Sequence, residues 1–280
     1  MTTVEQLWRY PVKSMLGTPV VSVQLVPLGI AGDRTWATRD LRRGGIRGAK
    51  QIGALMELAA TYPDDDDTRA PLIRLPGGAM VVAGAPGTDE RVSDAIGHPV
   101  RLEPLAPTDD LEHYRRGPSD HADQLEGMRA VFALEVDEPL PDFSAFPPDI
   151  VEFESPPGTY YDAWPLLVLT TSSLRELQRL APASVIDVRR FRPSILLADD
   201  GEGFVEQGWS GRQARLGGAV IELGAPCPRC IMVTRAFAGL PEDRSIMRTL
   251  VRENRQSLGV YGTIVEPGEV KVGDRLEWIS

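Results

Sequence analysis

The only two cysteines of the chain, Cys227 and Cys230, stand three positions apart in the run Gly224-Ala-Pro-Cys-Pro-Arg-Cys-Ile-Met232, with Arg229 between them. A thiolate beside a cationic side chain, on a turn shaped by glycine and proline, is what a soft metal centre or a reactive sulfur requires. The spacing is also that of half a zinc site, but a structural zinc takes four ligands. The three histidines, His98, His113 and His121, are scattered through the middle of the chain. A thioredoxin-like redox pair shares the spacing and opens a helix, whereas the β-branched run Ile231–Thr234 predicts a strand after Cys230. Two buried small hydrophobes are the plain alternative.

Three other segments carry cations at predicted strand ends. Tyr10-Pro-Val-Lys-Ser14 closes a strand on Lys13 and Ser14, Gly32-Asp-Arg-Thr-Trp36 places Arg34 at a strand start, and Arg190-Phe-Arg-Pro-Ser194 places Arg192 before an apolar strand. Singly, each reads as a solvated surface group. Their combination is what sets them apart.

The elements that must position these residues are mostly short strands. Val4–Arg9, Val20–Val26 and Thr35–Thr38 run apolar or alternate, with turn signals between them. Residues 40–150 change texture to short apolar pieces, an acidic loop at Asp64–Asp67, a helix near Thr88–Ile96 and a polar stretch, which predicts a small α/β unit. Helices are expected at Thr171–Leu180 and Pro241–Asn254, where hydroxyls or Pro and acids precede an apolar-periodic face. Strands are expected at Leu166–Thr170, Arg192–Leu197, Ala214–Leu216, Val220–Leu223, Tyr261–Val265 and Arg275–Trp278. Many short strands with Gly/Pro turns point to a barrel or sandwich.

At 280 residues and 42% hydrophobic, the chain can bury a substantial core in two subdomains. A formal charge of −10 argues against nucleic acid or an anionic membrane as partner, so any anion is bound locally. The basic residues are 27 arginines and three lysines, Lys13, Lys50 and Lys271. Arginine suits planar, bidentate phosphate recognition. No apolar run approaches the roughly 18 residues of a membrane span, and no secretory leader is evident, so a cytoplasmic location is expected.

These motifs in this order, with the closing Val260-Tyr-Gly-Thr-Ile-Val-Glu-Pro-Gly-Glu-Val-Lys-Val-Gly-Asp274, resemble a MOSC-domain protein with its N-terminal MOSC-associated region. The resemblance is strongest to the branch containing the mitochondrial amidoxime-reducing component and its bacterial relatives. It implies a mixed α+β, mainly β fold: a MOSC-type β-barrel with an inserted small α/β subdomain. The implied division is 1–37 for the first barrel strands, 38–150 for the MOSC-associated α/β subdomain and 151–280 for the MOSC barrel.

It also implies a molybdenum cofactor, Mo-molybdopterin, with Cys230 as the thiolate metal ligand and Arg229 holding its anionic form. Lys13, Ser14, Arg34 and Arg192 fall on the family's cofactor-anchoring positions, and Ser194 stands where relatives carry asparagine. Asp162 matches an acid near the metal, able to orient cofactor or substrate or to transfer protons. Lys50 in Gly48-Ala-Lys-Gln51 faces the pterin on this reading, and Cys227 is a neighbour of the metal.

The activity implied is two-electron reduction of small N-hydroxylated compounds: amidoximes, hydroxylamines and N-hydroxylated bases. The chain has no spare cysteines for an iron–sulfur cluster and no Gly-x-Gly-x-x-Gly after a strand. Electrons are therefore expected from an external donor, a ferredoxin-, flavodoxin- or cytochrome-type protein with its reductase. The rival readings are a molybdenum-cofactor carrier or sulfur-handling protein without reductase activity, and a metal-free barrel acting as a scaffold.

Overall fold

The segment Leu166–Thr170 is an unbroken apolar run, as expected of a strand covered on both faces. In the structure, a computed structural model that describes residues 1–279, it lies inside an eight-stranded sheet. The strand order is Leu276–Trp278, Arg212–Leu216, Ala219–Pro228, Ser257–Glu266, Leu166–Thr170, Ile195–Ala198, Thr3–Arg9, Thr18–Val20. All neighbours are antiparallel except Leu166–Thr170 and Ile195–Ala198. That parallel pair needs a crossover, and the helix Thr171–Leu180 lies on it, capped by the Thr170 hydroxyl, which accepts from Ser173 N. The N-terminal strand thus pairs with a strand some 190 residues away, which places residues 10–14 beside the C-terminal half.

The fold is mixed α+β and mainly β, as expected, but the expected closed barrel is not formed. The large sheet stays open, and where closure would occur there is one isolated bridge, Thr3 to Arg275, with a few flanking backbone bonds. A second, three-stranded sheet of Gly268–Lys271, Ser22–Val26 and Gly29–Ile30 covers the apolar face instead. Val23, Leu25, Ile30 and Val270 pack there against Leu7, Val168, Ile195 and Ile221. Because a second layer buries this face, the large sheet need not curl on itself. The run expected as one strand at Val20–Val26 accordingly divides between the two sheets, breaking at the exposed Val21.

Residues 36–104 build two further small sheets, Trp36–Asp40 between Val100–Pro104 and Ile46–Arg47, and the meander Ala59–Thr61, Leu72–Arg74, Met80–Val82. The helix Thr88–Ile96 packs Val92 and Ile96 into their core. The short helix Leu111–Tyr114 lies within the stretch Thr108–Asp123, which reads from sequence as polar, and a second helix, Gln124–Phe132, follows directly after it. The C-terminal helix begins at Ser245 and not at Pro241, and just before it the Asp243 carboxylate accepts from Ser245 N at 2.9 Å.

One local expectation is overturned where it matters most. Ile231–Thr234 is a single turn of 3₁₀ helix, not a strand. Pro226 and Pro228 have no N–H to donate, so the ladder of Ala219–Pro228, already shifted between Val220 and Ile221, shifts register twice more around them and ends before Cys230. The Thr234 hydroxyl then donates to Ile231 O at 2.8 Å and closes the turn. Within it Met232 enters the core of the N-terminal unit, with Met15, Leu55 and Phe237, while Val233 enters that formed by Leu169, Phe191 and Leu250. Two separate cores therefore hold the turn that follows Cys230.

Candidate functional site

Cys230, Cys227, Lys13, Ser14, Arg34, Asp162, Arg192, Ser194 and Arg229 all line one cleft of about 1000 Å³ including its open mouth, and Lys50 lines it too. Every site residue singled out from the sequence is therefore present, brought together from six segments at residues 13–14, 34, 50, 162, 192–194 and 227–230.

Three of them share a backbone property that the sequence does not display. Ser14, Arg34 and Arg192 have φ of 69°, 50° and 53°. The left-handed region costs a residue with a side chain about 1 kcal/mol or more, and such strain clusters at functional sites. Surrounding contacts fix it. The buried Asp33 carboxylate accepts from Tyr10 N at 2.6 Å and from the Arg34 guanidinium, while Arg34 N donates to Tyr10 O at 2.7 Å. Arg192 donates from Nη1 to Met15 O at 2.5 Å.

The centre of the Tyr10 ring lies 4.3 Å from the Arg192 guanidinium and 4.9 Å from that of Arg34. Cation–π attraction holds both cations near one ring. Burial pushes the Arg192 pKa down to about 10, which still leaves it charged at neutral pH. Its Nη2 is buried with no hydrogen-bond partner among the described residues, as are Nε of Arg229 and Nε of Arg235. An unsatisfied buried donor costs about 1–3 kcal/mol, and of these three arginines Arg192 and Arg229 line the cleft. Ser14 Oγ accepts from Ala49 N at 2.9 Å and keeps its own proton to donate. A Cβ on Gly48 would lie 2.4 Å from that oxygen, so glycine there lets the loop close on Ser14.

Lys13 is placed differently from Arg192. Its buried ammonium donates to Asp162 Oδ1 at 2.8 Å, Tyr160 O at 2.9 Å and Ser155 Oγ at 3.1 Å, which uses all three of its protons. Lys50 approaches the other carboxylate oxygen, Oδ2, at 3.2 Å. Burial alone would raise the Asp162 pKa, but the two ammonium groups more than offset it and hold the carboxyl well below the usual range. Asp162 is thus an ionised acceptor at neutral pH and not a proton donor. The Arg229 guanidinium donates to Cys227 Sγ at 3.1 Å and to Phe191 O at 2.7 Å. Its direct hydrogen bond goes to the buried first cysteine, whose pKa burial pushes up. Lys50, Arg229 and Arg235 are the cations near Cys230, which is only partly buried. Ser194 lines the cleft while its hydroxyl accepts from Leu167 N at 3.3 Å.

The histidines are engaged elsewhere, His98 with Asp40 at 3.0 Å and His113 with the Tyr160 hydroxyl at 2.6 Å. Among the described residues no three His, Cys, Asp or Glu converge as a metal site. Sequence reasoning missed the aromatic side of the cleft, Phe132, Phe143, Phe146, Trp164 and Tyr261. The signal available was the clustering of four of the seven phenylalanines between residues 132 and 153.

The chain belongs to the MOSC family. Residues 157–277 match the MOSC domain and residues 1–93 match the MOSC N-terminal beta barrel domain. It is similar to mitochondrial amidoxime reducing component 2 of Bos taurus, 24% identical over 97% of this chain and 82% of that protein. Mitochondrial amidoxime-reducing component 1 of Homo sapiens is likewise 24% identical, over 97% of this chain and 81% of its own length. Among solved structures, the YUAD protein of Bacillus subtilis aligns over 99% of this chain and 96% of that chain, with 10% identity and a TM-score of 0.45. Among the described residues no helix is long and apolar enough to cross a membrane.

Proposed function

We propose that this protein is a molybdenum-cofactor-dependent oxidoreductase that reduces N-hydroxylated compounds with electrons from a separate redox partner. The observation that carries the proposal is the cleft itself: Cys230 shares it with Arg34 and with Arg192, whose Nη2 has no partner. The names of the amidoxime-reducing relatives support the choice of substrate class.

The donor set fits the group. Molybdopterin carries a phosphate, and Ser14, Arg34 and Arg192 supply a hydroxyl and two fixed cations for it. Cys230 supplies a soft thiolate, the ligand type a molybdenum–dithiolene centre takes. When bound, the cofactor would supply a two-electron couple able to accept an oxygen atom. Cleaving the N–O bond of an N-hydroxyl group consumes two electrons and two protons and releases water. The residues of this chain bind and orient. Asp162, ionised between Lys13 and Lys50, accepts a hydrogen bond from an N–H or O–H of the bound molecule, and the flanking ammonium of Lys50 favours charge building on a departing oxygen. Arg229 holds Cys227 and so fixes the turn that presents Cys230.

On this reading residues 1–37 and 151–280 form the cofactor-bearing body and 38–150 the attached α/β subdomain. The protein would work in the cytoplasm, where two free cysteines stay reduced. Its donor would be a ferredoxin-, flavodoxin- or cytochrome-type protein.

The test is metal analysis of protein made in a host that fills other molybdoenzymes, with Cys230→Ala alongside, followed by amidoxime reduction with a chemically reduced viologen. Near-stoichiometric molybdenum, lost in the variant, and amidine formation are expected. Molybdenum without turnover would make the protein a cofactor carrier. No molybdenum at all would overturn the proposal.

A further inference from the structure

The cleft has two chemically opposite sides. One is the cationic side described above. The other is a continuous run of rings: Trp164 stacks on Tyr261 with centroids 4.6 Å apart, Phe146 meets Trp164 edge-on at 4.8 Å, and Phe143 meets Phe146 at 5.3 Å. Phe132 extends the run from Phe143 at 5.4 Å. The run starts beside the cysteine turn, since Tyr261 follows Val260, the register partner of Pro226. Phe132, Phe143, Phe146 and Trp164 are only partly buried, so apolar ring surface is left facing the cleft.

Most of this wall comes from residues 124–150, a strap that begins as the helix Gln124–Phe132. It is tied to the body by specific bonds. The Arg248 guanidinium pairs with Glu138 and donates to Ala133 O, and Gln256 Nε2 donates to Phe132 O at 3.2 Å. The same Gln256 nitrogen donates to Arg229 O at 2.9 Å, so one buried amide joins the strap to the cysteine turn. The strap lies wholly between the two stretches that match family models, 1–93 and 157–277. The family models therefore leave Phe132, Phe143 and Phe146 uncovered, while Trp164 and Tyr261 lie within the MOSC match.

We infer that the strap makes a substrate-selecting subsite in which Phe143, Phe146, Trp164 and Tyr261 receive a flat aryl or heteroaryl substituent carried by the N-hydroxyl group. Ring faces and edges at stacking distance attract another ring beyond the area it buries, and covering exposed ring surface is favourable in itself. A small alkyl substituent reaches neither. The inference rests on the proposed reductase site for the position of the N-hydroxyl group, while the subsite stands on the rings.

The test measures binding apart from turnover. Cofactor-loaded protein, without reductant, is titrated calorimetrically with 2-naphthamidoxime and with acetamidoxime, in the wild type, Phe146→Ala and Phe143→Ala. A preference for the naphthyl compound of about ten-fold or more, equivalent to ~1.4 kcal/mol, is expected, and the preference should fall at least five-fold in each variant at unchanged molybdenum content. Equal binding of the two compounds overturns the inference. So does an unchanged preference in variants that have lost molybdenum, which would assign the rings to the pterin. Selective binding without any reduction would leave the subsite standing and remove the reductase reading; reduction without selectivity would do the reverse.

Discussion

The ammonium of Lys13 lies 2.8 Å from Oδ1 of Asp162, joining the N-terminal strand's exit to the loop before Leu166–Thr170 across 149 positions of sequence. Lys13 is almost fully buried, and burial lowers its pKa against the pull of Asp162. Replacing the carboxylate by an amide leaves that cation with neutral acceptors only. Asp162→Asn should therefore cost about 1–2 kcal/mol, less than for a fully buried pair because the Asp162 side chain remains 44% exposed. Denaturant midpoints at neutral pH check this. The sign with pH follows from the depressed carboxyl: its contribution is present above the unfolded value near 4 and lost as pH falls through the folded one. The variant should show a shallower acid limb than the wild type.

Arg192 stacks on Tyr10 and carries the unpaired Nη2. Lysine cannot reproduce a planar, forked donor. Arg192→Lys should lower cofactor affinity by about ten-fold, ~1.4 kcal/mol, read as the molybdenum-to-protein ratio after dialysis, with the thermal midpoint little changed.

At Gly48 the backbone is ordinary and only space is short. Gly48→Ala should rotate Ser14 Oγ away from Ala49 N, costing roughly 1 kcal/mol for the lost bond. Molybdenum occupancy should fall more than stability does. Occupancy equal to the wild type would remove Ser14 from the anion site.

Far from the cleft, Glu206 is fully buried without a cation. Its carboxyl accepts from the hydroxyls of Thr170 and Ser173 at 2.7 and 2.5 Å, and from Gly259 N at 3.2 Å. Burial raises its pKa against these bonds. A raised folded-state pKa means that the stabilisation is complete below the unfolded value of about 4.5 and declines as pH rises through the folded one. Glu206→Gln should thus gain thermal stability over the wild type as pH goes from 5 to 8. Glu206→Ala should lose about 2–3 kcal/mol, leaving a cavity and three unanswered donors.

Much of this protein was legible in its residues. The apolar run Leu166–Thr170, the capped helix after it and the helix at Thr88–Ile96 follow from local pattern, because burial periodicity and capping act within a few positions. The cysteine turn and the cationic segments were visible as residue types, and their order along the chain carried the family.

What the chain in isolation did not display is everything that depends on a distant partner. Whether the apolar sheet face closes into a barrel or takes a second sheet is decided by Val23, Leu25 and Val270 arriving from opposite ends of the chain. The turn after Cys230 reads as a strand because its residues favour one, and becomes 3₁₀ because two prolines end the ladder and two cores claim Met232 and Val233. Likewise Lys13 and Arg192 are equal cations in sequence. Only the tertiary structure surrounds the first with three acceptors and leaves the second with a buried N–H unanswered, since hydrogen-bond satisfaction is set by what packs around a group and not by its neighbours in the chain.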